Sequence, residues 1–575
     1  MVLGNMEKGQ IVEVKIEDMS SEGQGIGKAD GFVVFVSGAV VGDVVKAQLT
    51  KVKKNYGFAR VMELVSESGD RTDEFDCDYF ENGCGGCQYG RLRYNAQLAL
   101  KERQVREKLQ RIAGLEEPLV RDIIGMEEED NDGNGPFRYR NKAQFPVSTG
   151  GIITRKGGIV ENLGEPSVGF FRAKSHDVVD CGDCYLQSIA AMAAADALRR
   201  FMEEDNITAW DPKWEKGLMR HMIVKTGFAS GEVMVILVIN GNGIPNVQKL
   251  VEMLDDAIYD VGYSLESVVM SIKKSEGVGA KGNRSGRSRK KGGESRPQQF
   301  NGGEIMGDKN VVVAGKPVIR DMIAGLEFEI SPASFYQVNP VQMKRLYDKV
   351  REYCGFGYDE AIDSVDADGD AKGSALRGAG AFGGKKPVVL DLYCGVGSIG
   401  LYCADGAEAI VGIEAVRDAV IDANRNAVVN GIVNARYICG RAEEVLKRYA
   451  AYEPAGEGAD EDRREAGKDL ENEEAGFYSD SREATPVDPD IAALVKKAEV
   501  AIIDPPRAGC RLELLEAVAD VGVERIVYVS CDPATLARDV KILGELGYEF
   551  KEATPVDMFP WTGCVETVVL LKLTV

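Results

Sequence analysis

The sequence predicts a multidomain protein of mixed α/β and β class: a small closed β-barrel, a mainly β central region, and a C-terminal doubly wound parallel sheet. Three observations carry this reading. The 575 residues exceed what one hydrophobic core organises, which gives a prior of roughly three or four domains. Residues 7–66 alternate apolar and polar positions in short runs (GQIVEVKIEDM, GFVVFVSGAV, DVVKAQLTKVKKNYGFARVMELV) broken by Gly-rich turns, the pattern of a small barrel. From residue 388 the pattern changes to short apolar run, loop, helix, repeated, as βα units require.

Each segment can be justified in turn. In the barrel, assigned to 1–66, the stretch carrying Lys51, Lys53, Lys54, Tyr56, Phe58 and Arg60 interleaves bases with aromatics. Such a surface suits stacked bases and phosphates, although a solvated barrel strand carries similar charges. Residues 94–113 place Leu98, Val105, Leu109 and Ile112 at helical spacing, with Gly114 as a stop, and predict an amphipathic helix. The region 67–330 is read as a cysteine-bearing, mainly β domain from the runs AQFPV, GIVENLG and EVMVILVIN. In 331–575 the runs PVVLDLY, EAIVGIE, ARYICG, EVAIIDPP and RIVYVSC are the predicted parallel strands, so ligands belong at their carboxyl ends.

Composition is ordinary for a globular protein, with 44% hydrophobic and 28% charged residues. No run reaches the roughly 18 apolar residues of a membrane span, and MVLGNMEKGQ carries no apolar export core; a cytoplasmic, monomeric protein is expected. The net charge of −22 argues against a nucleic-acid partner, but −19 of it lies in three loop-like segments, 125–135, 358–384 and 453–490. A fourth, 273–297, carries +7 in a Gly/Ser background, as an RNA-binding tail or a solubilising loop would. Two histidines, His176 and His221, leave little material for a His-based metal site or a Ser-His-Asp relay. Chemistry must run on Cys and carboxylates.

Four motifs end strands of the last domain. Asp391-Leu-Tyr393-Cys394-Gly395-Val-Gly397-Ser-Ile-Gly400 offers a tight glycine turn for a nucleotide-like ligand, and Glu414 ends the next strand where an acid can accept ribose hydroxyls. Alone, these also fit an NAD dehydrogenase. Asp504-Pro505-Pro506-Arg507 and Ser530-Cys531-Asp532-Pro533 end two later strands. Cys531 stands just before a helix whose amino terminus carries partial positive charge, a position that favours a thiolate. A second constellation is Cys77, Cys84 and Cys87 with distant Cys184, able to hold a [4Fe–4S] cluster or zinc. A zinc ribbon would use Cys84, Cys87, Cys181 and Cys184.

The stretches DLYCGVGSIG, IIDPPRAGC, VYVSCDPATLARD and DMFPWTGCVETV, extended by SPASFYQVNP, FRYRNKAQFPV and GFFRAKSHDVVDCGDC, resemble the RNA uracil-C5 methyltransferases that use S-adenosyl-L-methionine. The strongest likeness is to bacterial 23S ribosomal RNA enzymes with an N-terminal, OB-like TRAM barrel and a four-cysteine cluster. It spans most of the chain apart from the four segments above. The resemblance implies a Rossmann-like methyltransferase domain in which Cys531 attacks C6 of the uracil and Glu566 removes the C5 proton. It implies Gln337, Tyr393, Glu414 and Asp504 as cofactor-site residues, and Cys77, Cys84, Cys87 and Cys184 as [4Fe–4S] ligands. A transfer-RNA uridine would be served by the same chemistry. Where relatives carry His-Thr-x-His this chain has Trp561-Thr562-Gly563-Cys564. An inactive RNA-binding iron–sulfur protein is the rival that this change suggests, whereas local packing or replaceable substrate contacts at those positions leave the nucleophile untouched.

Overall fold

The computed structural model describes residues 6–574 apart from 74, 156–157, 212–213, 275–304, 357–381 and 454–485. The basic segment 273–297 and the acidic segments 358–384 and 453–490 therefore fall almost wholly outside the described residues.

Strands β1 (Ile11–Met19), β2 (Gln24–Ala29), β3 (Phe32–Ser37), β4 (Val44–Val52) and β5 (Tyr56–Ser66) close into a barrel in the order β1-β2-β3-β5-β4. Alternate residues of β1 point inward, so Val14 and Ile16 meet Val34, Val36, Val45, Ala47 and Leu49 in one core. Each such side chain contributes about 1.5–3 kcal/mol by leaving water. On the outside, Tyr56 and Phe58 form a cluster with Phe35, ring centroids 5.5–5.8 Å apart, beside exposed Lys51, Lys53, Lys54 and Arg60.

The helix Tyr94–Lys108 ends in a single π-turn, Leu109–Ala113, and Gly114 stops it with φ of 77°. Its buried face differs from the predicted apolar stripe. Ile112 is exposed and Leu98 only half-buried, whereas Gln97 and Lys101 are completely buried beside Leu100, Val105 and Leu109. The reason is the partner surface, which offers backbone carbonyls and a carboxylate rather than hydrocarbon alone. The acidic stretch 125–135 is likewise not simply solvated: Asp130 accepts two 2.8 Å hydrogen bonds from the Arg345 guanidinium, and Met126 is buried.

The central region holds a seven-stranded sheet of β6 (Lys142–Arg155), β7 (Gly158–Phe171), β8 (Val178–Asp180), β9 (Met219–Thr226), β10 (Glu232–Ile239), β11 (Ser264–Ile272) and β12 (Lys309–Gly315), ordered β12-β11-β10-β9-β6-β7-β8. It is less purely β than the runs suggest. The Ala-rich helix Ile189–Glu204, capped by the Ser188 hydroxyl accepting from the Ala191 N–H, packs with helix Val247–Tyr259 on one face. The second helix joins β10 to β11, which run parallel. A hairpin of β13 (Ile319–Ile323) and β14 (Leu326–Ile330) leads to helix Pro340–Tyr353.

The last sheet contains β15 (Val388–Leu392), β16 (Ala409–Glu414), β17 (Ala435–Cys439), β18 (Val500–Ile503), β19 (Arg525–Ser530), β20 (Tyr548–Val556) and β21 (Glu566–Leu573), ordered β17-β16-β15-β18-β19-β21-β20. The first five run parallel, and β21 is antiparallel to both neighbours. The chain reverses its direction of travel between β15 and β18, the switch point at which open α/β sheets bind ligands. Ile223, Met234 and Ile236 of the central sheet share one core with Met343, Leu346, Val389, Val527 and Val568.

Candidate active site

The chain places its chemical groups at one edge of the last sheet by a simple rule of position. Tyr393, Asp504 and Cys531 each come one residue after a parallel strand, β15, β18 and β19, while Glu414 is the last residue of β16. Glu566 opens β21 from the opposite direction, and the pairing of Ser530 with Thr567 sets it against Cys531. Antiparallel insertion of β21 thus brings a carboxyl to an edge otherwise built from parallel strand ends.

These groups feel one another. Burial, then the neighbouring Asp504 carboxylate, pushes Glu566 up to about 8, against the pull of Arg507. Asp504 is raised by burial to about 7. Cys531 is pushed up to about 12, first by burial and then by Glu566, with Arg507 opposing. The expectation that the following helix favours a thiolate therefore needs correction. Asp532 caps that helix, Pro533–Glu545, and its carboxylate already accepts the Ala534 and Thr535 N–H groups at 2.9 Å. At about 12, Cys531 keeps its proton at neutral pH.

Cys531 opens into a cleft of about 980 Å³. One wall is Pro506–Ala508, Cys531–Ala534 and Gly563–Val565; the other is Asp18–Ser21 and Ile26 of the barrel, with Gln104, Lys108 and Arg111 of the long helix. The two walls touch at Gly563, where a Cβ would collide with the Ser21 carbonyl. Trp561 and Cys564 occupy very different places. Trp561 is 1% exposed, stacks on Phe137 at 5.0 Å and donates its indole N–H to the Pro136 carbonyl at 3.0 Å. It is packing. Cys564 lines the cleft, 3.9 Å from Arg507 Nη2.

The glycine loop forms the second half of the site. Tyr393, Gly395 and Gly397 all take positive φ, and a Cβ on Gly397 would run into the Tyr437 hydroxyl. Glu414 reaches back to this loop, accepting the Gly395 N–H at 3.2 Å and the Val416 N–H at 2.8 Å. Asp391, which sequence reasoning gave no role, accepts the Gly400 N–H at 3.0 Å and is pushed up to about 7 by burial, with Asp504 and Glu414 adding to it. Gln337 sits in the buried loop before helix Pro340–Tyr353, its carbonyl taken by Asn141 at 2.8 Å. Arg507 was legible only as part of a motif, because its influence on Cys531 and Glu566 is purely spatial.

Cys77, Cys84, Cys87 and Cys184 line one small pocket of about 90 Å³, together with Cys181 and Arg140. Burial raises the thiols of Cys77, Cys84 and Cys87. Cys184 goes the other way, to about 7, with the neighbouring Cys181 as the first cause, while the Cys181 Sγ itself lies 3.4 Å from the Asp183 carbonyl. Among the described residues no group of three or more His, Cys, Asp or Glu side chains stands in ready metal-holding geometry.

A doubly wound sheet with an antiparallel β21, a glycine turn after its first strand and a Cys–Glu pair facing a barrel-walled cleft define a nucleotide-cofactor enzyme built to admit a large substrate. The TRAM domain model matches residues 6–62, and the tRNA (Uracil-5-)-methyltransferase model matches 473–574. The chain is 34% identical over 568 residues to an uncharacterized RNA methyltransferase of Halalkalibacterium halodurans, covering 99% of this chain and 98% of that one. It is 35% identical over 571 residues to one of Caldanaerobacter subterraneus subsp. tengcongensis, covering 99% and 100%. The fold is similar to the tRNA (uracil-54, C5)-methyltransferase of Pyrococcus abyssi solved with S-adenosyl-L-homocysteine, with a TM-score of 0.60, 24% identity and coverage of 97% and 99%. The chain belongs to the TRAM-containing RNA uracil-C5 methyltransferase family. No helix among the described residues is long and apolar enough to cross a membrane.

Proposed function

We propose that the protein transfers a methyl group from S-adenosyl-L-methionine to C5 of a uridine in 23S ribosomal RNA, through a covalent bond between Cys531 and C6. The observation that carries this reading is the meeting of Cys531, Glu566 and Asp504 at one sheet edge, opening into a cleft walled by the barrel. S-adenosyl-L-methionine supplies the electrophilic methyl when bound. The residues present fit it: the Gly395–Gly397 turn permits close backbone approach, Glu414 offers a carboxylate to hydroxyls, and Tyr393 opens the same turn.

Cys531 and Glu566 first give up their protons to solvent, and Cys531 Sγ then bonds to C6 as the C5–C6 π pair shifts toward C5 and O4, which makes C5 nucleophilic. After methyl transfer to C5, Glu566 accepts the C5 proton and the Sγ–C6 bond breaks, restoring the ring. Asp504, half-buried just after β18, holds the uracil or the donor. A neutral resting thiol suits this sequence, because the nucleophile is inert until the cleft is filled.

Cys77, Cys84, Cys87 and Cys184 would hold a [4Fe–4S] cluster, which would tie the segment after the barrel to the central sheet. Four thiols facing one pocket beside the half-buried Arg140 cation suit an anionic thiolate cluster. Stoichiometric zinc without iron and sulfide in an anaerobic preparation would exclude it. The ribosomal target rests on the pairing of a TRAM barrel with this cysteine pocket in one chain. Mapping 5-methyluridine in a deletion strain tests it: loss from 23S RNA supports the assignment, and loss from transfer RNA with 23S RNA intact overturns it.

A further inference from the structure

The strap 557–565 runs from β20 to Glu566 at the head of β21, and it is held largely by segments far away in sequence. Lys101 Nζ lies 2.6 Å from Asp557 Oδ1 and donates to the Phe559 carbonyl at 3.1 Å; both charged side chains are 0% exposed. One turn earlier, Gln97 Oε1 accepts the Trp561 N–H at 3.0 Å while its Nε2 donates to the Leu92 carbonyl at 2.7 Å. On the same face, Gln104 Nε2 donates to the carbonyl of Met19, in the barrel wall of the cleft, at 2.7 Å. Gln97, Lys101 and Gln104 are spaced i, i+4, i+7, so they stand in one row. The row connects strap to barrel.

We propose that Lys101, aided by Gln97 and Gln104, is a positioning residue that fixes the catalytic strap against the barrel and so places Glu566 over the substrate. A buried charge pair is a poor source of stability compared with hydrocarbon. What it does supply is a single register, because a displaced strap leaves two charges buried without partners. Four of the strap's contacts, from Lys101, Gln97, the Tyr139 hydroxyl on Pro560 and Gln88 on Gly563, come from residues 88–139, between barrel and central sheet. Met19, in the barrel wall of the cleft, is thus joined through Gln104 to the same helix that holds the strap.

The inference rests on Glu566 acting as base, and the test separates the two ideas. The probes are total RNA from a deletion strain labelled with [5-³H]uracil, whose tritium release reports C5 deprotonation, and the same RNA carrying 5-fluorouridine, which traps the Cys531 adduct without needing a base. The variant is Lys101→Met/Asp557→Leu, which removes both charges together. Adduct formation is expected within about threefold of the parent, with tritium release down about 100-fold, the cost of misplacing a reacting group by roughly 1 Å. Gln97→Leu, which leaves the ion pair intact, should show the same split at about tenfold and covers failure of the double variant to fold. Tritium release near the parent's, or adduct and release falling in parallel, overturns the positioning role. Absence of adduct with the parent protein would instead refute the covalent mechanism.

Discussion

Glu566→Gln should make the ligand-free protein more stable and nearly inactive at once. Folded, Glu566 keeps its proton up to about 8, whereas its ordinary value is 4.5. Between those values the native state binds a proton that the unfolded chain has released, so stability falls as pH rises from 4.5 to 8. At pH 7 the gap above 4.5 corresponds to a ceiling of about 3 kcal/mol. Part of the shift comes from Asp504, which the substitution also relieves, and about 2 kcal/mol is a fair expectation. Glutamine cannot ionise, so the unfolded state loses that advantage. Calorimetry should show Tm higher by about 2 °C at pH 7.5, with little gain at pH 5. Tritium release from [5-³H]uridine RNA should fall by about 10²–10⁴-fold. An unchanged or lower Tm at pH 7.5 would show that the carboxylate is ionised in the fold and held by Arg507, and the burial argument would be wrong.

Other outcomes follow from the same geometry. Cys531→Ala should abolish the covalent adduct with 5-fluorouridine RNA; persistence of the adduct would move the nucleophile elsewhere. Because Cys531 and Glu566 are both protonated at rest, kcat/KM should rise with pH through about 8, and a kcat/KM that rises on acidification would contradict this. Gly397→Ala adds a methyl against the Tyr437 hydroxyl at φ of 77°, costing about 1–2 kcal/mol from backbone alone. Titration with S-adenosyl-L-homocysteine should show affinity weakened about tenfold or more, and unchanged binding would remove the glycine turn from the donor site. Cys84→Ser should lower iron and sulfide content in anaerobic preparations, and full loading would take Cys84 out of the ligand set.

The strand ends were the most legible part of the sequence. Short apolar runs ended by Asp391-Leu-Tyr393, Glu414, Asp504 and Cys531 needed only the period of a buried strand and a turn signal, and each became β15, β16, β18 or β19. What periodicity missed was the partner surface. Helix Tyr94–Lys108 reads as amphipathic through Leu98 and Ile112, yet buries Gln97 and Lys101, because its neighbour is a strap more than 450 residues away in sequence. The electrostatics of Cys531 were misread for the same reason. A helix amino terminus is visible in sequence, whereas the loss of its free N–H groups to Asp532 and the two carboxyls around the thiol emerge only in three dimensions. The four predicted cysteines do share a pocket, and Cys181 lines it with them, its Sγ 3.4 Å from the Asp183 carbonyl.

The core that Ile223, Met234 and Ile236 share with Met343, Val389 and Val568 also limits how the chain can be divided. A boundary at 330/331 separates two sheets on paper, but a fragment beginning there would leave one face of its own sheet without the side chains that dry it. The seam is also tied by polar contacts, with Lys225 Nζ donating to the Ser331 and Ser334 carbonyls while the Ser334 hydroxyl reaches Asp422. The two sheets dry one another along this seam, and the loop that bears Gln337 is joined across it through Asn141.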